Sequence, residues 1–197
     1  MSGDPAHDIS HIKRVVQSAL ALTETEGGNL AVTIPAAWLH DCVTVAKDSP
    51  LRKQASRLAA NEAVRFLQSI DYPADLLAQI HHAIAAHSFS ANIPAETIEA
   101  RIVQDADRLE AIGAIGIARC FLTGGSMGTP LYDPGDPFAH ERELDDKSFT
   151  LDHFYCKLMG LVDTMQTDAG RAEAIRRTGY MRDFLQRLAE EIGASAR

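Results

Sequence analysis

Apolar residues recur at three- and four-residue steps along most of the chain, and the two-residue alternation of a strand is nearly absent, so the pattern predicts an all-α fold, a compact helical bundle. A first helix is expected to open near Asp8 or Ser10, carry Ile12, Val15, Val16, Ala19 and Leu22 on one face, and stop at Gly27-Gly28. A second is expected from about Pro35, a residue suited to the first helical position, to about Lys47, where "DSP" breaks it. The stretch 51–70 predicts a longer amphipathic helix with Ala55, Leu58, Ala59, Ala63, Phe66, Leu67 and Ile70 inward, closed by a "DYP" turn.

Asp75 is placed to cap a fourth helix in which Leu77, Ile80, Ile84 and His87 share a face, followed by a loop at "SFSANIP". The segment "AETIEARIVQDADRLEAIGAIGIARCFL" is long, apolar and rich in small residues at Gly113, Ala114, Gly116 and Ala118, which allow close helix contact. Residues 124–146 form the one long irregular stretch; loops of this length are usually functional, a lid over a pocket being one reading. Helices over about 148–165 and 169–192 complete a single expected domain, with its core at about 7–165 and a C-terminal helix at about 169–192.

Composition narrows the function. A chain of 197 residues, 46% hydrophobic and 23% charged, matches one globular domain with a substantial core. The net charge of −8 argues against a nucleic-acid polymer as partner, because such binding relies on clustered Lys and Arg, while a local basic pocket for a small anion stays open. Cys42, Cys120 and Cys156 are odd in number and widely spaced, so neither a disulfide framework nor a zinc knuckle is indicated. A reducing cytoplasm is the expected compartment. The first residues, "MSGDPAHDISH", are polar and acidic, and no apolar run is long enough to cross a bilayer, so no membrane partner is expected.

Against that background the stretch "AWLHDCV" stands out, because it sets His40 and Asp41 side by side in an apolar run. Burying an unpaired charge or imidazole costs several kcal/mol, roughly, unless a partner or metal compensates. His11, His40, Asp41 and Asp107 can compensate one another by converging on one divalent cation. Two imidazoles with two carboxylates and no thiolate suit Mn, Fe, Mg, Co or Ni in a site open to water better than a closed structural zinc. Taken singly each has an ordinary reading: His40 as a core histidine bonded to a carbonyl, Asp41 as a partner of Lys47 or Arg57, His11 as an exposed first-turn residue.

The ordered set "AHDISHIKRV", "WLHDCV", "IHHAIAAHSFS" and "VQDADRLEAIGAIGIAR", with the late "LDHFYCKL", resembles the HD superfamily of metal-dependent phosphohydrolases, in its bacterial YedJ-like branch, from about His7 to Met165. The resemblance implies an all-helical fold whose central helices present His11, the His40-Asp41 pair and Asp107 to a catalytic metal. It also implies water attack on phosphorus in a small phosphorylated substrate, a nucleotide first, including nucleoside triphosphate cleavage to monophosphate and pyrophosphate. Asp105 and Asp107 lie about 200° apart on a helix, so only one can face the ion. Asp105 can pair on the surface with Arg101 and Arg108, whereas Asp107 shares its face with Val103, Ala111 and Ala114. The superfamily's distal aspartate precedes a basic residue and a leucine, as Asp107 precedes Arg108-Leu109.

Phosphoryl transfer asks mainly for positioning and charge neutralisation, which brings in cations near the doublet. Lys47, seven residues after His40, is the favoured phosphate contact, with Arg57 and Lys157 as further candidates. Asp41, His82 and His87 are the candidates for catalytic proton handling; the two histidines could instead bind phosphate or a second metal. Two other functions remain open at this point: a ligand-sensing domain without turnover, and a dinuclear-metal oxidase.

Overall fold

The computed structural model describes residues 9–45, 49, 51–88 and 91–197. Lys47 lies outside them. Among the described residues there is no strand, and the chain forms two compact units: one of residues up to 107 together with 166–170, the other of 108–165 and 171–197. No helix of the described residues is long and apolar enough to cross a membrane.

In the first unit, α1 (Ile9–Glu26) buries His11, Val15, Ala19, Leu22 and Thr23, the spacing of one helix face. Gly27 ends it in the left-handed region at φ 79°, donating its N–H to the Thr23 carbonyl. Then α2 (Leu30–Leu39) begins five residues before the expected Pro35, because Asn29 caps it, its side chain accepting from the Ala31 N–H at 2.9 Å. Pro35 therefore sits inside α2, where it has no N–H for the Ala31 carbonyl. Tyr72 supplies the missing donor, its hydroxyl reaching Ala31 O at 2.7 Å. The helix also stops earlier than expected, at Leu39, so His40 caps its end instead of lying near its middle.

A short 3₁₀ turn (Arg52–Gln54) leads into α3 (Ala55–Ser69), and another (Ala74–Leu76) into α4 (Leu77–His87). Helix α4 packs on α2 and α3, and α2 packs on α1. Their shared core is built largely from Ala36, Ala59, Ala60, Ala63, Ala83 and Ala86, around Val32, Leu67, Ile80 and Ile84. Small side chains bring these helix axes close, and the polar residues at the helix ends come close with them.

The expected long helical segment is broken. Helix α5 (Ile98–Leu109) ends, and α6 (Gly113–Met127) restarts after an extended Ile112, with Gly113 at φ 75°, a conformation that favours glycine. In the second unit α6 runs on through Gly124 and Gly125, so the irregular stretch starts later than expected, at Gly128. Where one helix was expected over 148–165, the chain makes a π-helical turn (Phe154–Leu158) and a 3₁₀ stretch (Met159–Thr164). Phe121, Phe154 and Phe184 pack with ring centroids 5.6–6.4 Å apart at the centre of this unit. Helix α7 (Asp168–Glu191) closes the chain.

Candidate metal centre

Three imidazoles and two carboxylates meet in the first unit. His11 comes from the first turns of α1, His40 from the end of α2, Asp41 from the next residue, His87 from the last position of α4, and Asp107 from α5. The imidazoles are buried, His40 completely, whereas the side chains of Asp41 and Asp107 keep 37% and 31% of their surface exposed. The carboxylates therefore line the mouth and the imidazoles the floor.

His40 Nε2 lies 3.6 Å from Asp41 Oδ2 and 3.8 Å from Asp107 Oδ1; His11 Nε2 is 3.5 Å from that same Asp107 oxygen, and His87 Nε2 is 3.7 Å from Asp41 Oδ1. These separations are long for hydrogen bonds. They are close to the roughly 3.0–3.4 Å between neighbouring ligand atoms of one ion held at about 2.1 Å.

Two of the rings are oriented in the same way. His40 Nδ1 donates to the Ala37 carbonyl at 2.8 Å and His87 Nδ1 to the Ile84 carbonyl at 2.7 Å. A carbonyl only accepts, so Nδ1 carries the proton and Nε2 presents a lone pair to the cluster. Fully buried His40 Nε2 has no hydrogen-bond partner among the described residues, the condition expected of an atom intended for a cation.

Electrostatics agree with that use. Burial, reinforced by the neighbouring His40, holds the His87 imidazole below its ordinary pKa and keeps it neutral. For Asp107 burial pushes upward, but the adjoining His11 imidazole and the nearby His40 and His87 outweigh it and hold the carboxyl well below the usual range. A neutral His87 and an ionised Asp107 are the forms in which each can bind a divalent cation.

Comparison with known proteins places this centre in a family. Residues 8–112 match the family model of the HD domain, a span that includes all five of these side chains. The chain belongs to the HD-domain family. Uncharacterized protein YpgQ of Bacillus subtilis is 33% identical over 191 residues, covering 94% of this chain and 84% of that one. An HD-superfamily hydrolase from Bacillus thuringiensis is 36% identical with a TM-score of 0.75, covering 96% of this chain and 88% of that chain. The structure of Bacillus subtilis YpgQ in complex with ADP is 34% identical with a TM-score of 0.75, covering 95% and 90%.

Other residues singled out in the sequence lie elsewhere. His82 turns away from the cluster: its Nε2 accepts the Glu96 N–H at 3.0 Å and so tethers the segment after α4. Arg57 is exposed on α3, and Lys157 is exposed on the π-helical turn of the second unit. The surface pairing expected of Asp105 requires correction. Asp105 is completely buried and accepts from the Gln166 N–H at 2.9 Å, the Thr167 N–H at 2.8 Å and the Thr167 hydroxyl at 2.8 Å. Helix α5 is packed on nearly every side between Glu99 and Ala106, so the face opposite Asp107 is no solvent face. Thr167 in turn accepts from the Gly170 N–H at 3.0 Å, capping the start of α7. Nothing in the local sequence around Asp105 signals a partner 62 residues away.

Proposed function

We propose that the chain is a metal-dependent phosphohydrolase whose substrate is a small phosphorylated metabolite, a nucleotide in the first instance. The observation that carries this reading is the buried His40 Nε2, unpartnered and faced by two carboxylate oxygens at 3.6 and 3.8 Å. Two anionic groups at the mouth of a site repel a phosphate, so their presence makes sense with a cation between them and the substrate.

His11, His40, Asp41 and Asp107 would hold the ion. A bound divalent ion supplies acidified water at neutral pH and polarises a phosphoryl oxygen. The remaining work falls to the chain. The carbonyls of Ala37 and Ile84 lock two imidazoles in one tautomer. Asp41, the most open of the five, is placed to take a proton from the attacking water. Hydrolysis breaks one P–O bond, adds the water oxygen to phosphorus and returns a proton to the leaving oxygen; His87 borders Asp41 at 3.7 Å. Lys47 is the cation we assign to substrate phosphate.

The nucleotide preference draws support from the relative YpgQ, whose structure was determined in complex with ADP. The test is a screen of nucleoside mono-, di- and triphosphates and simple phosphomonoesters against metal-stripped protein resupplied with Mn, Mg, Fe, Co or Ni in turn. Phosphate or pyrophosphate should appear only with metal present. Metal-loaded protein that binds nucleotides and turns none over would establish a ligand-sensing domain instead.

A further inference from the structure

The metal reading above uses four ligands, yet the cluster has five members. The side chains fall into two triads, His11-His40-Asp107 and His40-Asp41-His87, with potential ligand atoms within 4.8 Å of one another in each. The triads meet at His40. Its Nδ1 is committed to the Ala37 carbonyl, so it offers one lone pair, at Nε2, and one lone pair binds one ion. Were each triad to hold its own ion, one of the two would keep only two protein ligands.

Resting on that metal reading, we propose that His87 is a fifth ligand of the same single ion, making a three-imidazole, two-carboxylate centre that selects a transition metal over magnesium. His87 borders two of the proposed ligands, His40 and Asp41. It is 6% exposed, its Nε2 faces Asp41 Oδ1 at 3.7 Å, and its ring meets that of His40 edge-on with centroids 4.9 Å apart and planes at 82°. Its Nδ1 is anchored on Ile84 O just as that of His40 is on Ala37 O. A phosphate-binding histidine would aim an N–H at the substrate, whereas this ring spends its N–H on the backbone and turns a lone pair inward. Three imidazoles also change what the site accepts. Magnesium favours oxygen ligands and retains its waters, while manganese, iron, cobalt and nickel bind imidazole increasingly well.

The decisive variant is His87→Asn, whose amide can replace Nδ1 as donor to Ile84 O but has no atom where Nε2 stood. Metal-stripped wild type and variant are titrated with Mn2+ and with Mg2+ by calorimetry, and the visible absorption of the Co2+ forms is recorded. The variant should lose at least about tenfold in Mn2+ affinity, with Mg2+ affinity little changed and an altered Co2+ spectrum. An independent measurement needs no variant: on adding Zn2+ to wild type, the ring-nitrogen resonances of three histidines, including His87, should show coordination. Wild-type Mn2+ affinity and an unaltered Co2+ spectrum in the variant, or only two coordinated rings in wild type, overturns the role of His87 alone. Wild type that binds none of these ions overturns the metal reading itself.

Discussion

His40 and His87 owe their orientation to the same feature of a helix end. The last carbonyls of a helix have no N–H from a following turn, and an imidazole three residues on can donate to one of them. Ala37 O and Ile84 O serve in this way, which explains how an apolar helix terminus can carry a polar ring without strain. The sequence displays the ingredients, since His40 and Asp41 interrupt an apolar run and His11 falls on a buried face. It also sets His87, and not His82, on the face of Leu77, Ile80 and Ile84, but ring direction depends on which partners the folded chain brings. Five residues apart on α4, they point about 140° from one another, so only one can face the cluster. If His40 and Asp41 hold the ion, His40→Ala and Asp41→Ala should each lose bound metal and hydrolysis while far-ultraviolet circular dichroism stays close to wild type. Elemental analysis of the purified variants checks this, and full occupancy in either would remove that residue from the centre.

At the scale of elements, α5 carries two aspartates with opposite tasks. Asp107 faces His11 and His40, and Asp105 holds the start of α7 through Thr167. The helical pattern shows that they diverge, but the partner of Asp105 is remote in sequence and invisible to local spacing. The start of α2 and the break before α6 were hidden for similar reasons: Tyr72 makes Pro35 tolerable inside a helix, and Gly113 turns a continuous apolar run. Asp107→Asn should abolish metal binding with a modest effect on metal-free stability. Asp105→Asn should keep one ion per chain but cost about 1–3 kcal/mol of stability, the scale of a buried charge-assisted contact weakened. Urea titration beside metal analysis separates the two, and the reverse pattern would mean that the wrong face of α5 meets the ion. In the second unit, the Asp136 carboxylate accepts N–H groups of Glu141, His140 and Arg142, which hold its pKa down to about 2. An unfolded aspartate titrates near 3.9, roughly, so this stabilisation is complete above that value and is lost as pH falls through about 2. Wild type should therefore lose more stability between pH 5 and pH 2.5, on the order of a measurable shift in urea midpoint, than Asp136→Asn does. Equal losses in both would deny the turn this role.

On the scale of the whole molecule, the five side chains of the cluster come from residues 11 to 107, all within the first unit, so one ion would cross-link α1, α4, α5 and the end of α2. Such an ion binds the folded chain and not the unfolded one, because the unfolded chain does not hold these groups together. Linkage then predicts stabilisation of about 2.7 kcal/mol at a free metal concentration of 100 Kd. For a chain of this size each kcal/mol moves Tm by about 2–4 °C, giving an expected rise of roughly 5–10 °C. The rise belongs to the transition that unfolds the first unit. Acid should erase it, because ligand histidines must be neutral and model imidazole titrates near 6.5, roughly, so protons compete with metal increasingly below that pH. Scanning calorimetry of wild type and Asp107→Asn, with and without Mn2+ at pH 7.5 and pH 5, tests both parts. Wild type at pH 7.5 should gain the full shift, wild type at pH 5 much less, and Asp107→Asn none at either pH. A shift of equal size in Asp107→Asn would place the stabilising ion away from these five side chains.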